Sequence, residues 1–207
     1  MNIHLLHRFQ CQIGLQCRFI ILAHDQLRLG LGGLGDGTPP MGKKVDHNLV
    51  WYGLQNIMSA SVNINNVLCP SAKSKCSRDT NAIKDSLGIT ATNSFCTLSR
   101  EVRNALEHFD ERLDEWAVKT GGGHIIDMSL HGNNSGGLSH GLQKVVHLRN
   151  FDYVTGEVTF WDEKFNVYAA AEDAKPLLER CAVAAAKSYA ELTGIETLPF
   201  GIQREYF

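Results

Sequence analysis

The sequence lacks an uninterrupted apolar run near the roughly 20 residues that a membrane span needs. Its first apolar stretch, from Ile3 to Ile21, is interrupted by His7, Arg8 and several glutamines. No small-residue cleavage site follows that stretch, so it does not resemble a secretory signal. We therefore expect a cytoplasmic protein that has no membrane partner.

A strong imbalance of charge is also missing. The chain has 20 Lys and Arg residues against 22 Asp and Glu residues, which gives a net charge of −2 at pH 7. A chain so close to neutral has no global field that would attract it to nucleic acid or anionic lipid. Any contact with phosphate must therefore come from a local site. The best local basic patch is the polar segment 71–80, with Lys73, Lys75 and Arg78.

The usual signatures of a metal site are absent from the sequence. The six cysteines form no Cys-x-x-Cys pair, and no histidine stands at zinc-finger spacing from them. Reduced thiols are the expected state in a cytosolic protein. Four histidines lie seven to nine residues apart, which matches no ligand motif: His124, His131, His140 and His147. We therefore expect no metal ion and no other cofactor.

The glycine-rich segment from Gly30 to Pro40 formally contains Gly-x-Gly-x-x-Gly, at Gly30, Gly32 and Gly35. A dinucleotide site needs a strand before this motif and a helix that opens directly from it. Pro39 and Pro40 prevent such a helix. A flexible loop is the preferred interpretation, and it separates an N-terminal helix in residues 1–45 from the main domain in residues 46–207.

Apolar residues at steps of three and four predict a mainly α chain that forms a helical bundle. The segment from Phe19 to Leu22 would equally suit a strand. Asp46 is the expected N-cap of the second helix, and Gly88 is expected to end the third. The predicted helices cover residues 3–29, 46–68, 79–87, 100–116 and 170–193.

The apolar periodicity also predicts which side chains of these helices face the core. Phe19 is expected on the core face of the first helix. The second helix should present an inward stripe, namely Val50, Leu54, Ile57, Met58, Ser61, Ile64 and Leu68, and the asparagines of the same segment are expected to be solvated or capping groups: Asn56, Asn63, Asn65 and Asn66. The packing positions expected of the last helix are Leu177, Leu178, Cys181, Val183, Ala184, Tyr189 and Leu192.

Between residues 124 and 168 the pattern changes to short apolar segments separated by Gly- and Asn-rich turns. It predicts a small antiparallel β insertion before the last helix, with strands near residues 124–130, 144–149, 157–161 and 164–168. We expect this sheet to form separately and to pack beside the bundle through apolar side chains, namely Val146, Leu148, Val158, Phe160 and Trp161.

The most regular helical pattern, which we call the central helix, runs from Arg100 to Trp116, with Thr97 or Ser99 as its N-cap. On a helical wheel of about 100° per residue, Arg103 and His108 fall on opposite flanks of the apolar face. Both are expected at the edge of the core, partly wet and partly packed. Since they cannot stack as an i, i+4 pair would, joint action requires a groove.

The run Arg103-Asn104-x-x-x-His108 on such a helix resembles the R-x4–6-H motif of HEPN-like domains, many of which are metal-independent ribonucleases. The likeness extends weakly to residues 54–70 and 148–152. It implies a HEPN-like bundle that acts as a homodimer, in which two such helices face each other across one cleft. It further implies RNA or a nucleotide as a ligand, an antitoxin protein as a partner, and a toxin or phage-defence setting.

Cleavage of RNA without a metal needs a group that moves protons and a group that stabilises charge on phosphorus. A histidine such as His108 can act as general base or acid near neutral pH. The planar fork of Arg103 suits phosphoryl oxygens. Asn104 is expected to orient His108 or to contact phosphate. These three residues are the candidate catalytic site of an endoribonuclease.

Two other interpretations stay open. The domain is either a non-catalytic HEPN-like module that binds a nucleotide, RNA or a protein, or a scaffold in which Arg103 pairs with Glu107 and His108 pairs with Asn104 or Arg112. Carboxylates near the motif favour these alternatives because they repel a phosphate backbone: Glu107, Asp110, Glu111, Asp114 and Glu115.

Overall fold

The computed structural model describes residues 1–32, 44–70, 78–120, 125–131, 146–161 and 163–195. This part of the chain is mainly α, with a small sheet before the last helix, which confirms the predicted fold class. No helix in it combines the length and apolarity that crossing a bilayer requires. Its helices are α1 (Ile3–Gly30), α2 (His47–Leu68), α3 (Thr80–Leu87), α4 (Ser94–Thr97), α5 (Arg100–Glu107), α6 (Phe109–Thr120) and α7 (Val167–Thr193).

The core is built around α1, which packs along both α2 and α7. The predicted N-terminal helix is confirmed, so the alternative strand at residues 19–22 is wrong. Gly53 sets the close approach of α1 and α2, because a Cβ atom there would lie 2.8 Å from the carbonyl oxygen of Ala23. Fully buried side chains of α1 include Ile13, Cys17, Ile20 and Leu27.

The predicted caps form as expected. The Asp46 carboxylate accepts the backbone N–H of Leu49 at 3.0 Å at the start of α2. Gly88 ends α3 with a φ of 60°, in the left-handed region where glycine carries no Cβ penalty. The predicted inward stripe of α2 is confirmed, since all of its members are buried: Val50, Leu54, Ile57, Met58, Ser61, Ile64 and Leu68.

The last helix begins at Val167, three residues before the predicted start, because Asn166 supplies the cap by accepting the N–H of Ala169. Of its predicted packing positions, Leu177 and Cys181 are buried. Val183 is exposed, so its placement in the core is wrong.

The four-stranded sheet has the order β2–β4–β5–β6, and it is mixed. The strands β4, β5 and β6 are antiparallel, but β2 runs parallel to β4, and a separate short pair, β1 and β3, is also parallel. The purely antiparallel prediction is therefore wrong. The connection from β2 to β4 exceeds the dozen or so residues that a parallel crossover needs. The strands are β1 (Ile125–Ile126), β2 (Ser129–His131), β3 (Val146–His147), β4 (Arg149–Asp152), β5 (Glu157–Phe160) and β6 (Glu163–Asn166).

The sheet shares the core of the helices instead of forming a separate one. Val158 and Phe160 are buried in the same apolar cluster as α1 and α2, and half-buried Trp161 packs against it. Leu148 is also buried, as predicted. The side chain of Val146 lies outside the described residues. The sheet therefore extends the bundle core.

His24 of α1 makes the stability depend on pH. Burial lowers the pKa of this imidazole, and the charges of Lys175 and Arg28 lower it further. The unfolded chain then binds the proton more tightly than the folded chain, so the free energy of unfolding falls as pH drops through the unfolded pKa of about 6.5.

We expect His24→Gln to reduce the fall of the melting temperature between about pH 7.5 and pH 5.5, because the substituted side chain does not take up a proton. His4→Gln, at an exposed position, is the control that should not flatten it, and an unchanged slope in His24→Gln would contradict the assignment.

Candidate functional site

The predicted central helix is interrupted at its candidate histidine. Ser99 caps α5 by accepting the N–H of Val102 at 3.1 Å. His108 ends α5 with φ −124° and ψ 42°, outside the helical region, and α6 begins at the next residue. The ring of Phe109 then packs 5.7 Å from that of Phe160 in the sheet. The prediction of a single helix from Arg100 to Trp116 is therefore wrong. The helix breaks at His108, and the residue that follows packs against the sheet.

Arg103 is buried, with only 8% of its surface exposed. Its Nη1 atom donates to Oδ1 of Asn66 at 2.9 Å and to Oδ1 of Asn65 at 3.4 Å, both on α2. The expectation of a half-wet position at the edge of the core is wrong for this residue. Within the described ranges, no carboxylate lies at ion-pair distance from its guanidinium, so the expected pair with Glu107 does not form.

Asn65 is a structural support for Arg103. Its side chain is buried, and its Nδ2 donates to the backbone carbonyl of Phe95 at 2.7 Å. That bond fixes the orientation of the amide, which leaves Oδ1 to face the arginine. The interpretation of Asn65 as a solvated group is therefore wrong.

Arg103 opens onto a polar cavity of about 370 Å³, which we call the arginine cavity. Arg78 and Arg100 also line it, and Glu107 is its one acidic lining residue. The Nε atom of Arg78 is buried and finds no acceptor in the described part of the chain. Three guanidinium groups against one carboxylate favour an anion there. Within the described part of the chain, the lining residues are Asn66, Pro70, Arg78, Arg100, Arg103, Asn104 and Glu107.

His108 lines a second and larger opening of about 700 Å³, the histidine groove. Its side chain is 52% exposed, and its Nδ1 lies 3.5 Å from a carboxylate oxygen of Glu111. The predicted position, partly exposed to solvent at the edge of the core, therefore agrees with the structure better for His108 than for Arg103. The acidic residues that line the groove are Glu111, Glu115 and Glu163, and the basic residues are Arg100, Arg112 and Lys119.

The two openings share one wall. Arg100 and Asn104 line both the arginine cavity and the histidine groove. Arg103 and His108 do not line the same opening, so Asn104 lies between the two halves of the site. The arrangement can hold a phosphate at the arginines and present a proton-transfer group to a neighbouring atom of the same ligand.

Trp161 is a site residue that the sequence analysis missed as a functional candidate. It lines the histidine groove together with Trp116, and it has a φ of 56°, a strained value for a non-glycine residue. Its indole N–H is buried without an acceptor among the described residues. Because nucleobases stack on indole rings, Trp116 and Trp161 are candidates for a base contact in this groove.

The other candidates from the sequence do not converge on this site. No group of three or more metal-ligating side chains exists within the described ranges. His124 and His140, together with the side chain of His147, lie outside those ranges, as do Lys73 and Lys75. Of the predicted basic patch, Arg78 reaches the arginine cavity.

Comparison with models of known families, with curated proteins and with solved structures found no match to this chain.

Proposed function

We propose that this protein is a metal-independent RNA endonuclease of the HEPN-like kind. The observation that carries the proposal is the buried charge of Arg103. A guanidinium stays charged at any physiological pH, and a buried charge is costly unless it is compensated. The amide oxygens of Asn65 and Asn66 satisfy one of its nitrogens but supply no negative charge.

An anion in the arginine cavity would supply that charge. The convergence of Arg78 and Arg100 on the same space supports a phosphate group over a carboxylic acid, because the oxygens of a tetrahedral phosphodiester point in several directions whereas those of a carboxylate lie in one plane. The low net charge of the chain means that this binding depends on the site and not on a general field.

His108 would carry out the proton transfer. In the proposed reaction, Arg103 holds the scissile phosphate, and His108 takes the proton of the adjacent 2′-hydroxyl or donates one to the leaving 5′-oxygen. The O2′–P bond forms and the P–O5′ bond breaks, which leaves a 2′,3′-cyclic phosphate. Asn104 lines both openings, and we assign it the role of orienting the ligand between them.

One observation favours a second function, that of a non-catalytic module that binds RNA or a nucleotide. The histidine groove has as many acidic as basic lining residues, so it lacks the positive excess of the arginine cavity that would attract a phosphate backbone. The arginine cavity would then bind phosphate without chemistry at His108.

The resemblance adds further predictions, which stay predictions. They are a homodimer that buries part of the central helix, an antitoxin partner and a toxin or phage-defence setting. The cytoplasmic location expected from the sequence also stays a prediction.

Cleavage of single-stranded RNA by the purified protein in EDTA tests the proposal. We expect cleavage to persist in EDTA, and we expect products that end in 2′,3′-cyclic phosphate, because the attacking oxygen belongs to the substrate. DNA of the same sequence should stay intact and serves as the control. Binding of RNA without cleavage would favour the second function, and neither binding nor cleavage would contradict both.

A further inference from the structure

The exposed apolar side chains of the described residues concentrate on α1. Five of the eleven large apolar side chains that are exposed belong to this helix: Leu5, Leu15, Phe19, Leu22 and Leu29. By contrast, α5 and α6 together contribute Val118 alone. The apolar surface that is available for association therefore lies on the N-terminal helix and not on the predicted central helix.

Four of these residues form a stripe on one face of the helix, with Gln26 between the last two. Leu15, Phe19, Leu22 and Leu29 follow each other at steps of four, three and seven, so they share one helix face. The faces of α1 that pack on α2 and α7 are marked by Ala23 and Gly14. The stripe points away from both neighbours. Phe19, which the sequence analysis assigned to the core face, is 46% exposed on this stripe.

The same helix has an apolar groove next to the stripe. It lies between α1 and α7 and has a volume of about 280 Å³. Its mainly apolar lining includes Cys11, Gly14, Leu15, Leu178 and Cys181, and polar residues of α1 border it, namely Arg8, Gln10, Gln12 and Arg18. At the other end of the stripe, Leu29 projects with 67% of its surface exposed. The groove at Leu15 and the projecting Leu29 are each seven residues from Leu22, on either side of it.

We propose that two copies of this chain pair through α1 in an antiparallel arrangement, with the two-fold axis at Leu22. This arrangement places Leu29 of each copy over the groove of the other, and it places the two Leu22 side chains against each other. A two-fold interface must be self-complementary in this way, with each contact occurring twice. The inference does not depend on the proposed nuclease function.

Charge supports the same register. Arg18 and Asp25 lie on one flank of the stripe, two turns apart and on either side of Leu22. In an antiparallel two-fold pair, residues on the same flank meet, so Arg18 of one copy lies close to Asp25 of the other. Each copy contributes one partner to each of two equivalent ion pairs. In a parallel pair the flanks that carry Arg18 and Asp25 would lie on opposite sides of the interface, and these ion pairs would not form.

The position of the axis leaves the candidate site open. Gly53 contacts Ala23 and Leu27, and Gln16 accepts a hydrogen bond from Asn63, which sets Leu22 level with about Ile57 of α2. Asn66, which lines the arginine cavity, lies nine residues further along, or about 14 Å. The proposed contact therefore does not join two sites into one cleft, and it is a different interface from the central-helix homodimer that the resemblance implies.

The paired segment is short. With the axis at Leu22, residues 14–30 of the two helices overlap, which is about 24 Å of helix. A standard interface buries about 800 Å² on each partner, and one helix face of this length provides less. We therefore expect a dimer with a dissociation constant in the micromolar range.

Sedimentation across a micromolar concentration series tests the proposal, with Leu22→Glu beside Val183→Glu. Both residues are exposed, at 60% and 71%, but Val183 lies on α7 and off the stripe. We expect Leu22→Glu to weaken the dimer at least about tenfold, because it places two carboxylates at the axis. Val183→Glu should leave the dimer intact, and both variants should melt at the wild-type temperature.

A charge exchange tests the register independently. Asp25→Arg alone should weaken the dimer, because it places an arginine beside Arg18 of the other copy. The double variant Arg18→Asp with Asp25→Arg should restore the affinity. A wild-type monomer at every concentration would overturn the proposal. So would a dimer that resists Leu22→Glu, or equal weakening by both glutamate variants.

Discussion

Replacement of His108 by Gln is expected to lower the rate of RNA cleavage about a hundredfold or more, which is the usual scale of general acid–base catalysis. Glutamine keeps hydrogen-bonding capacity but cannot transfer a proton. The histidine side chain is half exposed, and its described polar contact is with the exposed Glu111, so the melting temperature should not change. The measurement pairs single-turnover cleavage with thermal unfolding.

Glu111→Gln is the matched control for this variant. It removes the ion-pair partner of His108 and one negative charge from the histidine groove. We expect it to keep cleavage or to raise it, because less repulsion then acts on the phosphate backbone. Full activity in His108→Gln would return His108 to a structural role.

Replacement of Arg103 is expected to remove the protein's response to phosphate. Inorganic phosphate should raise the melting temperature of the wild type, because an anion in the arginine cavity stabilises the folded state by mass action. Arg103→Met keeps the volume of the side chain but lacks its charge, so its melting temperature should not respond. Arg103→Lys keeps the charge and loses the fork, so its response should be intermediate.

The response to phosphate, and not the starting melting temperature, is the informative quantity here. Removing Arg103 relieves a buried charge but also leaves the amide oxygens of Asn65 and Asn66 without their donor, and these effects oppose each other. Arg180→Met, on exposed α7 surface, is the control and should respond as the wild type does. An equal response in Arg103→Met would contradict the assignment of the anion to this cavity.

The helices were predictable because local chemistry decides them. Asp46, Asp79 and Asn166 each accept an N–H of the first turn, and the first two are recognisable as caps in the sequence. The stripe of α2 follows one helical period, so the centre of its buried face could be assigned. The flanks of that face could not, because the neighbours that bury residues such as Trp51 and Asn65 are distant in sequence. The class of the fold follows from these elements.

The direction of β2 could not be predicted, because an alternating apolar pattern is the same in a parallel and an antiparallel pair. What decides it is the route of the connection before β4, which is a property of the whole chain. The break at His108 has a similar cause, since the packing of Phe109 on Phe160 lies outside the helical pattern itself.

The burial of Arg103 could not be predicted from the sequence for the same reason, because it depends on tertiary packing. Its partners Asn65 and Asn66 are far away in sequence, and a helical wheel that assumes one continuous helix gives it a wet flank. Arg100 could have been found, because it stands one turn before Arg103 on the same helix. The basic patch of residues 71–80 indicated Arg78 as a phosphate contact, but not that it would lie beside Arg103. Trp161 reaches the site through tertiary packing, and no local pattern indicates that it would.

One measurement tests the central claim most directly. It compares an RNA oligomer with the same oligomer that carries a single 2′-deoxynucleotide at the cleavage position. We expect the wild type to bind both equally, because the arginine cavity holds the phosphate and not the sugar, and to cleave at that position only the oligomer with the 2′-hydroxyl. Cleavage of the deoxy-substituted oligomer at that position, or cleavage of neither, would contradict the account.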